Sequence, residues 1–355
     1  MLFRTANLSQ LSEFDEIIDV RTPAEFAEDH IPGAINCPVF SNEERITVGT
    51  LYKQVSPFEA RKVGAALVAK NIAHHLETYF HDKPKSWKPL IYCWRGGQRS
   101  GAMSIILAQV GWAAHKLEGG YKVYRREVLD KLEALPATLN FRVICGATGS
   151  GKSRLLDALA ANGTQVLDLE MLAQHRGSVL GGIPLNSQPS PKMFDTLLLQ
   201  KLQSFDANQP VFVEAESNKI GRITLPTALV NAMHGSPCVQ LETSMDAREK
   251  LLLTDYHHFL DDPESLIEKL QVLLPFHGHQ QLENWKTLIR AGAFEQLVRE
   301  LLTLHYDPSY VRSTGKHFTL LNAAQKIALN DLSTEVLHKV ALSLPTGEIT
   351  ESITH

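Results

Sequence analysis

The chain has 355 residues, enough for two or three domains, with 44% hydrophobic residues, 21% charged residues and a formal net charge of -4. This ordinary globular composition contains no apolar run long enough to span a bilayer, and its four cysteines include no CxxC pair, so it predicts no membrane partner, no disulfide framework and no cysteine-ligated zinc site. We therefore expect a cytoplasmic protein with reduced thiols.

The first third of the chain alternates strand and helix signals. Residues 15–21 and 89–93 are apolar runs typical of short buried strands, and 100–112 is typical of a helix with an apolar face. Ser56, Pro57 and Glu59 form a capping box with proline at the first helical position. A further short strand leads through Gly119 and Gly120 into a helix. This alternation predicts an α/β domain with a parallel sheet over residues 1–135.

A linker at 133–140 precedes a second α/β series, predicted over residues 141–245. Its strand candidates are 141–145, 164–170, 210–216 and 237–243. From about residue 246 the pattern is mostly helical, so 246–355 is predicted to be a mainly helical C-terminal extension.

The segment CWRGGQR follows the strand that ends at residue 93. Cys93 leaves this strand, and a helix begins near Arg99. Such a loop turns its N–H groups inward and forms an anion site at a helix N-terminus, so we expect Cys93 to be a reactive thiolate. Arg95, Gly96, Gly97 and Arg99 would bind an anionic donor of sulfur, selenium or phosphorus, with the arginines neutralising its charge.

Two other interpretations of this loop stay open. A cysteine at a strand end is often a plain core residue. The spacing C-x5-R is also the signature of cysteine-dependent phosphatases, although these favour histidine before the cysteine and Tyr92 stands there.

The clearest motif is GATGSGKS at 146–153, which matches G-x-x-x-x-G-K-[ST] between a strand and a helix. Its glycines let backbone N–H groups converge on phosphate oxygens, its lysine supplies a charge, and its last serine offers a hydroxyl to Mg²⁺. The predicted diphosphate-binding residues are Gly146, Thr148, Gly149, Ser150, Gly151, Lys152 and Ser153. This motif, the P-loop, recognises a diphosphate, and that diphosphate need not belong to ATP.

Acidic residues at the ends of two predicted strands are candidates for a metal site beside this motif. Carboxylates that organise a metal and water usually end a neighbouring strand, and the candidates are Asp168, Glu170, Glu214 and Glu216.

The segment 121–131 concentrates basic residues. Among them, Lys122, Arg125 and Arg126 are predicted to contact RNA phosphates; a solvated helix face is the alternative.

In order, these motifs resemble a known family. DEIIDVRTPAEFAEDHIPGAIN, IYCWRGGQRS and LEGGYKVYRR resemble a rhodanese domain, with Cys93 at its catalytic cysteine. A rhodanese domain followed at once by a P-loop resembles the bacterial tRNA 2-selenouridine synthase family, and NEERITVGTLYKQ, VFVEAESNKIG and LHYDPSY add to the likeness. The fold implied is a rhodanese-like domain, a P-loop α/β domain and a helical C-terminal extension.

The resemblance implies a transferase that acts on the wobble uridine, U34, of the tRNAs for Lys, Glu and Gln. It implies that selenium replaces the sulfur of 2-thiouridine through an S-geranylated intermediate, with selenophosphate and geranyl diphosphate as substrates and selenophosphate synthetase supplying the donor. Cys93 would carry selenium as a perselenide. No tightly bound cofactor and no resident metal site are implied, apart from Mg²⁺ accompanying a ligand at the P-loop.

Two rival functions predict different behaviour. A rhodanese-type sulfurtransferase or cysteine-dependent phosphatase fused to a P-loop NTPase would turn over thiosulfate or a phosphoester without tRNA. A regulatory module with an inert rhodanese domain would keep its function after Cys93→Ser.

Overall fold

The computed structural model describes residues 4–178, 180–182 and 187–344. These form two compact units: the first runs to Lys131 and includes Lys192–Thr196, and the second comprises the rest. Over the described residues, no helix is both long enough and apolar enough to cross a bilayer.

The first unit is a parallel five-stranded sheet with helices, as the sequence predicts. Its strands are Arg4–Ala6 (β1), Glu16–Asp19 (β2), Ala34–Asn36 (β3), Pro89–Tyr92 (β4) and His115–Leu117 (β5). Its helices are Pro23–Glu28 (α1), Asn42–Gln54 (α2), Pro57–Thr78 (α3), Gln98–Val110 (α4) and Gly120–Ala134 (α5). The strand order β1-β5-β4-β2-β3 puts β4 at the centre, so the residue after β4 emerges at the middle of the sheet's carboxyl edge.

Local signals account for most helix starts in this unit. Thr22 closes a capping box with Glu25, and Pro23 opens α1. Ser56 accepts the Glu59 N–H at 3.1 Å and caps α3. The structure adds β3 and α2, which the sequence analysis did not assign.

A buried ion pair ties the end of β2 to the start of α5. Arg21 pairs with Asp19 at 2.6 Å, and both side chains are at most 1% exposed. The Arg21 guanidinium also lies 3.9 Å from the centre of the Tyr121 ring, and the Tyr121 hydroxyl donates to Asp29 at 2.6 Å. These contacts fix the first turn of α5 beside the loop that follows β4.

The second unit is built on another parallel five-stranded sheet. The unit's strands are Asn140–Cys145 (β6), Gln165–Leu167 (β7), Pro210–Glu214 (β8), Lys219–Ile220 (β9), Ile223–Thr224 (β10), Cys238–Thr243 (β11) and Gln325–Leu329 (β12). Of these, β9 and β10 form a separate antiparallel pair outside the five-stranded sheet. Its helices are Lys152–Ala161 (α6), Leu169–Ala173 (α7), Pro191–Gln203 (α8), Thr227–His234 (α9), Met245–Asp255 (α10), His258–Asp261 (α11), Pro263–Leu270 (α12), Leu274–Arg290 (α13), Phe294–Leu301 (α14), Asp307–His317 (α15) and Thr334–Ser343 (α16). A π-helical turn, Leu302–Tyr306, joins α14 to α15.

The sheet order β12-β11-β6-β8-β7 corrects the predicted organisation of the C-terminal region. Residues after 246 are mostly helical, but they also contribute β12, which pairs in parallel with β11. Leu337 and Val340 of α16 then belong to the same buried cluster as Leu155 of α6. The division predicted at residue 245 therefore does not separate compact units, because the P-loop sheet is completed from the chain's C-terminal region.

The predicted strand 164–170 is also shorter than expected. Only Gln165–Leu167 is extended, because the Asp168 carboxylate accepts the Met171 N–H at 2.7 Å and starts helix α7. This places Glu170 within the first turn of a helix and not at a strand end.

Candidate functional site

The Cys93 side chain lies at the N-terminus of α4. It is 3% exposed, and its Sγ accepts the Gly97 N–H at 3.2 Å and lies 3.2 Å from the Ser100 hydroxyl. Gly97 is the N-cap of α4 and provides no side-chain cap, so the first amides of the helix are left for a ligand. This is the position in which a helix N-terminus stabilises a negative charge, and it confirms the predicted strand–loop–helix geometry around the thiol.

Glycine is required where α5 meets this loop. Gly120 has φ +60°, and an added Cβ would lie 2.3 Å from the Cys93 carbonyl oxygen and 2.5 Å from the Gly96 amide nitrogen. The approach lets Tyr121 N–H donate to Cys93 O and Lys122 N–H donate to Trp94 O, both at 2.9 Å. These two backbone hydrogen bonds from α5 therefore fix the position of the loop.

We expect Gly120→Ala to destabilise the first unit far more than Gly33→Ala. Gly33 has φ +76° but no atom within 4 Å of an added Cβ, so both variants share the left-handed strain and only Gly120→Ala adds overlap. Overlap of this kind costs about 1–3 kcal/mol. Urea denaturation of both variants measures the difference. Equal losses of unfolding free energy would show that the close approach has no energetic role.

The two arginines of the loop differ in their charge environment. Arg99 donates to both Glu25 carboxylate oxygens, at 2.7 Å and 3.3 Å. Burial raises the pKa of Glu25, but the hydrogen bond and charge of Arg99 outweigh it and leave that pKa below its ordinary value. Arg95 is exposed and has no ion-pair partner among the described residues. Glu25 therefore offsets the charge of Arg99, and Arg95 is the cation left to meet a donor; anion binding by either stays a prediction.

The P-loop has the conformation that its sequence predicts. It connects β6 to α6, and Gly149 and Gly151 take φ values of +78° and +88°. The Lys152 ammonium donates to the Gly146 carbonyl at 2.8 Å, so it already lies over the loop whose amides would hold phosphates.

An arginine that sequence reasoning missed supports this loop. Arg248 is 6% exposed, donates from Nε to the Thr148 carbonyl at 2.9 Å, and binds the Asp307 carboxylate at 3.0 Å and 2.5 Å. Asp307 lies in the LHYDPSY stretch noted for its family likeness, which is the one sequence signal that pointed to this contact. The loop's shape thus depends on residues 100 and more positions away in the chain.

The four candidate carboxylates have separate roles. Asp168 caps α7, and Glu214 accepts the N–H groups of Leu169 and Glu170 at 2.6 Å and 2.9 Å. Burial, followed by the charges of nearby acids, raises the pKa of Glu214 well above its ordinary value. These two residues hold helix α7 in place.

Glu170 and Glu216 instead face the P-loop. A Cβ added at Gly177 would lie 2.8 Å from an oxygen of each carboxylate, so the two groups converge there. Ser153 Oγ donates to Glu170 at 3.2 Å. Burial, followed by repulsion from Glu170, raises the pKa of Glu216 to about 8. Such crowded carboxylates are typical of a site that receives a cation with its ligand.

The side chains around Glu170 and Glu216 do not by themselves form a complete metal site. Among the residues described, no group of three or more histidine, cysteine or acidic side chains is arranged to hold a metal ion. The Ser153 hydroxyl and the Glu170 and Glu216 carboxylates are hard oxygen ligands suited to Mg²⁺, whose remaining positions would be filled by phosphate and water.

A cleft of about 360 Å³ opens over the P-loop. Besides the loop it is lined by Glu170, Glu216, Arg176, Tyr256 and Tyr310. Arg176 donates to the Asp255 carbonyl at 2.6 Å and lies 4.9 Å from the centre of the Tyr256 ring.

The basic residues of α5 are not equivalent. Lys122 and Arg126 are exposed one helical turn apart, whereas Arg125 is partly buried and paired with Asp195. Lys122 and Arg126 remain the accessible candidates for RNA phosphates, and RNA contact by all three stays a prediction.

Two family models match the chain in sequence. The tRNA 2-selenouridine synthase AAA domain matches residues 139–268, and the rhodanese-like domain matches residues 5–127. The tRNA 2-selenouridine synthase of Aeromonas salmonicida is 31% identical over 84% of this chain and 87% of its own length. That of Alcanivorax borkumensis is 36% identical over 83% and 88%, and that of Nitrosomonas europaea is 34% identical over 73% and 67%.

Proposed function

The chain belongs to the tRNA 2-selenouridine synthase family, a family of tRNA-modifying transferases, and on that premise we propose that it converts wobble 2-thiouridine to 2-selenouridine in the tRNAs for Lys, Glu and Gln. The observation that supports the proposal is the presence of two candidate anion sites of different chemistry in one chain. One is a thiol at the N-terminus of α4, and the other is a phosphate cradle bordered by carboxylates.

In the first proposed step the P-loop binds geranyl diphosphate. The sulfur of 2-thiouridine attacks the allylic carbon, a C–S bond forms, and the C–O bond breaks with release of inorganic diphosphate. The loop amides and Lys152 stabilise the charge that develops on this leaving group. Ser153, Glu170 and Glu216 would hold a Mg²⁺ ion that accompanies the diphosphate, and that ion would supply further neutralisation of its charge.

In the second proposed step selenium replaces the geranylated sulfur. Alkylation turns a poor leaving group into a neutral thioether, so a selenium nucleophile adds to C2 of the uracil ring and geranyl thiol departs. Selenophosphate, supplied by selenophosphate synthetase, binds at the Cys93 loop, where the α4 amides and Arg95 meet its negative charge.

The proposed perselenide on Cys93 sets conditions on electron balance. Selenium in a perselenide is two electrons more oxidised than selenium in selenophosphate. Forming the S–Se bond on Cys93 with release of phosphate therefore requires an electron acceptor, which we propose is a small-molecule disulfide that is reduced to two thiols. After attack on C2 the Se–S bond must be reduced by a thiol, which returns the two electrons. The sequence is redox-neutral overall only when both steps operate.

The decisive test is the nucleoside composition of bulk tRNA. We expect 2-selenouridine in selenium-grown cells that contain the protein and none in cells that lack its gene, with 2-thiouridine retained in the latter. Mass spectrometry of digested tRNA measures both. Unchanged 2-selenouridine in the deletion strain would remove the proposal.

A further inference from the structure

An apolar cavity of about 70 Å³ adjoins the P-loop cleft in the second unit. The two spaces share five lining residues, Thr148, Ser178, Leu252, Tyr256 and Tyr306, so they adjoin at the P-loop. Since a packed protein interior leaves few voids larger than a water molecule, a cavity that adjoins a phosphate cradle indicates room for a ligand.

The walls of the cavity are apolar except where they meet the P-loop cleft. Every described residue that lines only the cavity is leucine, valine or phenylalanine, contributed by α10, α11, α12, α14, the π-helical turn and Leu180. The polar residues that line the cavity, Thr148, Ser178, Tyr256 and Tyr306, all also line the cleft. A nucleobase needs polar groups to read its edge, whereas a hydrocarbon chain needs none.

The size of the space limits the length of that chain. A single water occupies about 10–15 Å³ by the same measure, so about 70 Å³ holds roughly five to seven water-sized groups. This corresponds to about one five-carbon isoprene unit, so the other half of a geranyl tail of about ten carbons would lie in the adjoining P-loop cleft. Helix α14 contributes Phe294, Leu297, Val298 and Leu301 to the lining, more than any other element.

We propose that this cavity binds the hydrocarbon tail of the isoprenyl diphosphate held by the P-loop, and that the α14 wall sets the tail length. The inference rests on the proposed use of geranyl diphosphate and adds where the tail lies and which residues select it. The π-helical turn that ends at Tyr306 supports it independently, since π-helical segments occur frequently at functional sites.

The first arm of the test measures competitive binding of inorganic diphosphate, dimethylallyl, geranyl and farnesyl diphosphate, and ATP to the full chain. We expect affinity to rise about tenfold or more with each isoprene unit up to geranyl, since a buried methylene is worth about fourfold, and to fall at farnesyl. Equal binding of inorganic diphosphate and geranyl diphosphate, or tighter binding of ATP than of geranyl diphosphate, would overturn the inference.

The second arm changes the wall. Val298→Phe, at a partly exposed position, should remove most of the binding affinity that the geranyl tail adds. It should leave the affinity for inorganic diphosphate unchanged. Phe294→Ala should shift the preference to farnesyl. Leu282→Ala is the matched control, because Leu282 belongs to the same buried cluster but does not line the cavity. If the variants weaken inorganic diphosphate as much as geranyl diphosphate, the wall has only a structural role and the inference fails.

A third arm separates this inference from the proposed function. Chemically geranylated tRNA and selenophosphate are supplied, so that no prenyl diphosphate is needed. If this tRNA is selenated but the tail has no effect on diphosphate binding, the inferred tail-binding cavity is wrong and the proposed function still stands. Tail-dependent binding without any selenation would remove the proposed function and leave the pocket.

Discussion

Cys93→Ser should abolish formation of 2-selenouridine, with a loss of about a thousandfold or more, while the S-geranylated nucleoside accumulates. The serine hydroxyl can still accept the Gly97 N–H that now contacts Sγ at 3.2 Å, so the loop should keep its shape. A serine hydroxyl is not ionised near neutral pH and is a far poorer nucleophile toward selenium than a thiolate. The readout is mass spectrometry of tRNA nucleosides after incubation with geranyl diphosphate and selenophosphate.

Cys37→Ser is the matched control for this prediction. Cys37 lies in the same unit and the same buried cluster as Cys93 and is also 3% exposed, but among the described residues no backbone amide donates to its Sγ. Full formation of 2-selenouridine by Cys93→Ser would contradict the proposed role of Cys93 as the selenium carrier. Selenium found on the Cys93 peptide after incubation with selenophosphate and a small-molecule disulfide would support the perselenide.

Lys152→Ala should give the opposite pattern, losing geranylation by about a hundredfold or more and keeping selenation of tRNA that is already geranylated. The Lys152 ammonium is held 2.8 Å from the Gly146 carbonyl, in reach of a diphosphate on the loop amides. Without this ammonium, only the backbone amides of the loop stabilise the negative charge that develops on the diphosphate leaving group. Separate assays of the two half-reactions, with labelled geranyl diphosphate and with geranylated tRNA, measure the two effects.

Lys219→Ala controls for the loss of a positive charge in the same unit, because Lys219 is exposed and does not line the P-loop cleft. The assignment of the P-loop to geranyl diphosphate would be wrong if Lys152→Ala blocked selenation of geranylated tRNA and left geranylation intact.

Features contained in a short stretch of sequence could be predicted. The Cys93 loop and the P-loop each specify a strand, a glycine turn and a helix start within about ten residues, and the structure confirms both geometries. Their glycines, capping groups and apolar runs are adjacent in the chain, so the local pattern suffices.

Features that depend on distant residues could not be predicted. The Arg99–Glu25 pair joins positions 74 residues apart, and Arg248 reaches a carbonyl 100 residues away. No local pattern indicates that Glu25 offsets the charge of Arg99. The apolar cavity has the same origin, since its wall combines four helices whose leucines are, in sequence, ordinary core residues.

The position of β12 has a consequence for biosynthesis. The strand β11 lies between β6 and β12, so until β12 emerges from the ribosome one edge of β11 has no partner in the sheet that supports the P-loop. The intervening residues, from 244 to 324, take on the order of ten seconds to synthesise at about 5–20 residues per second. During that interval the thiol-bearing unit is already complete, whereas the nascent P-loop unit exposes a strand edge that can pair wrongly. Translation arrest between β11 and β12 should therefore yield a chain that tends to aggregate through its second unit, with the first unit folded.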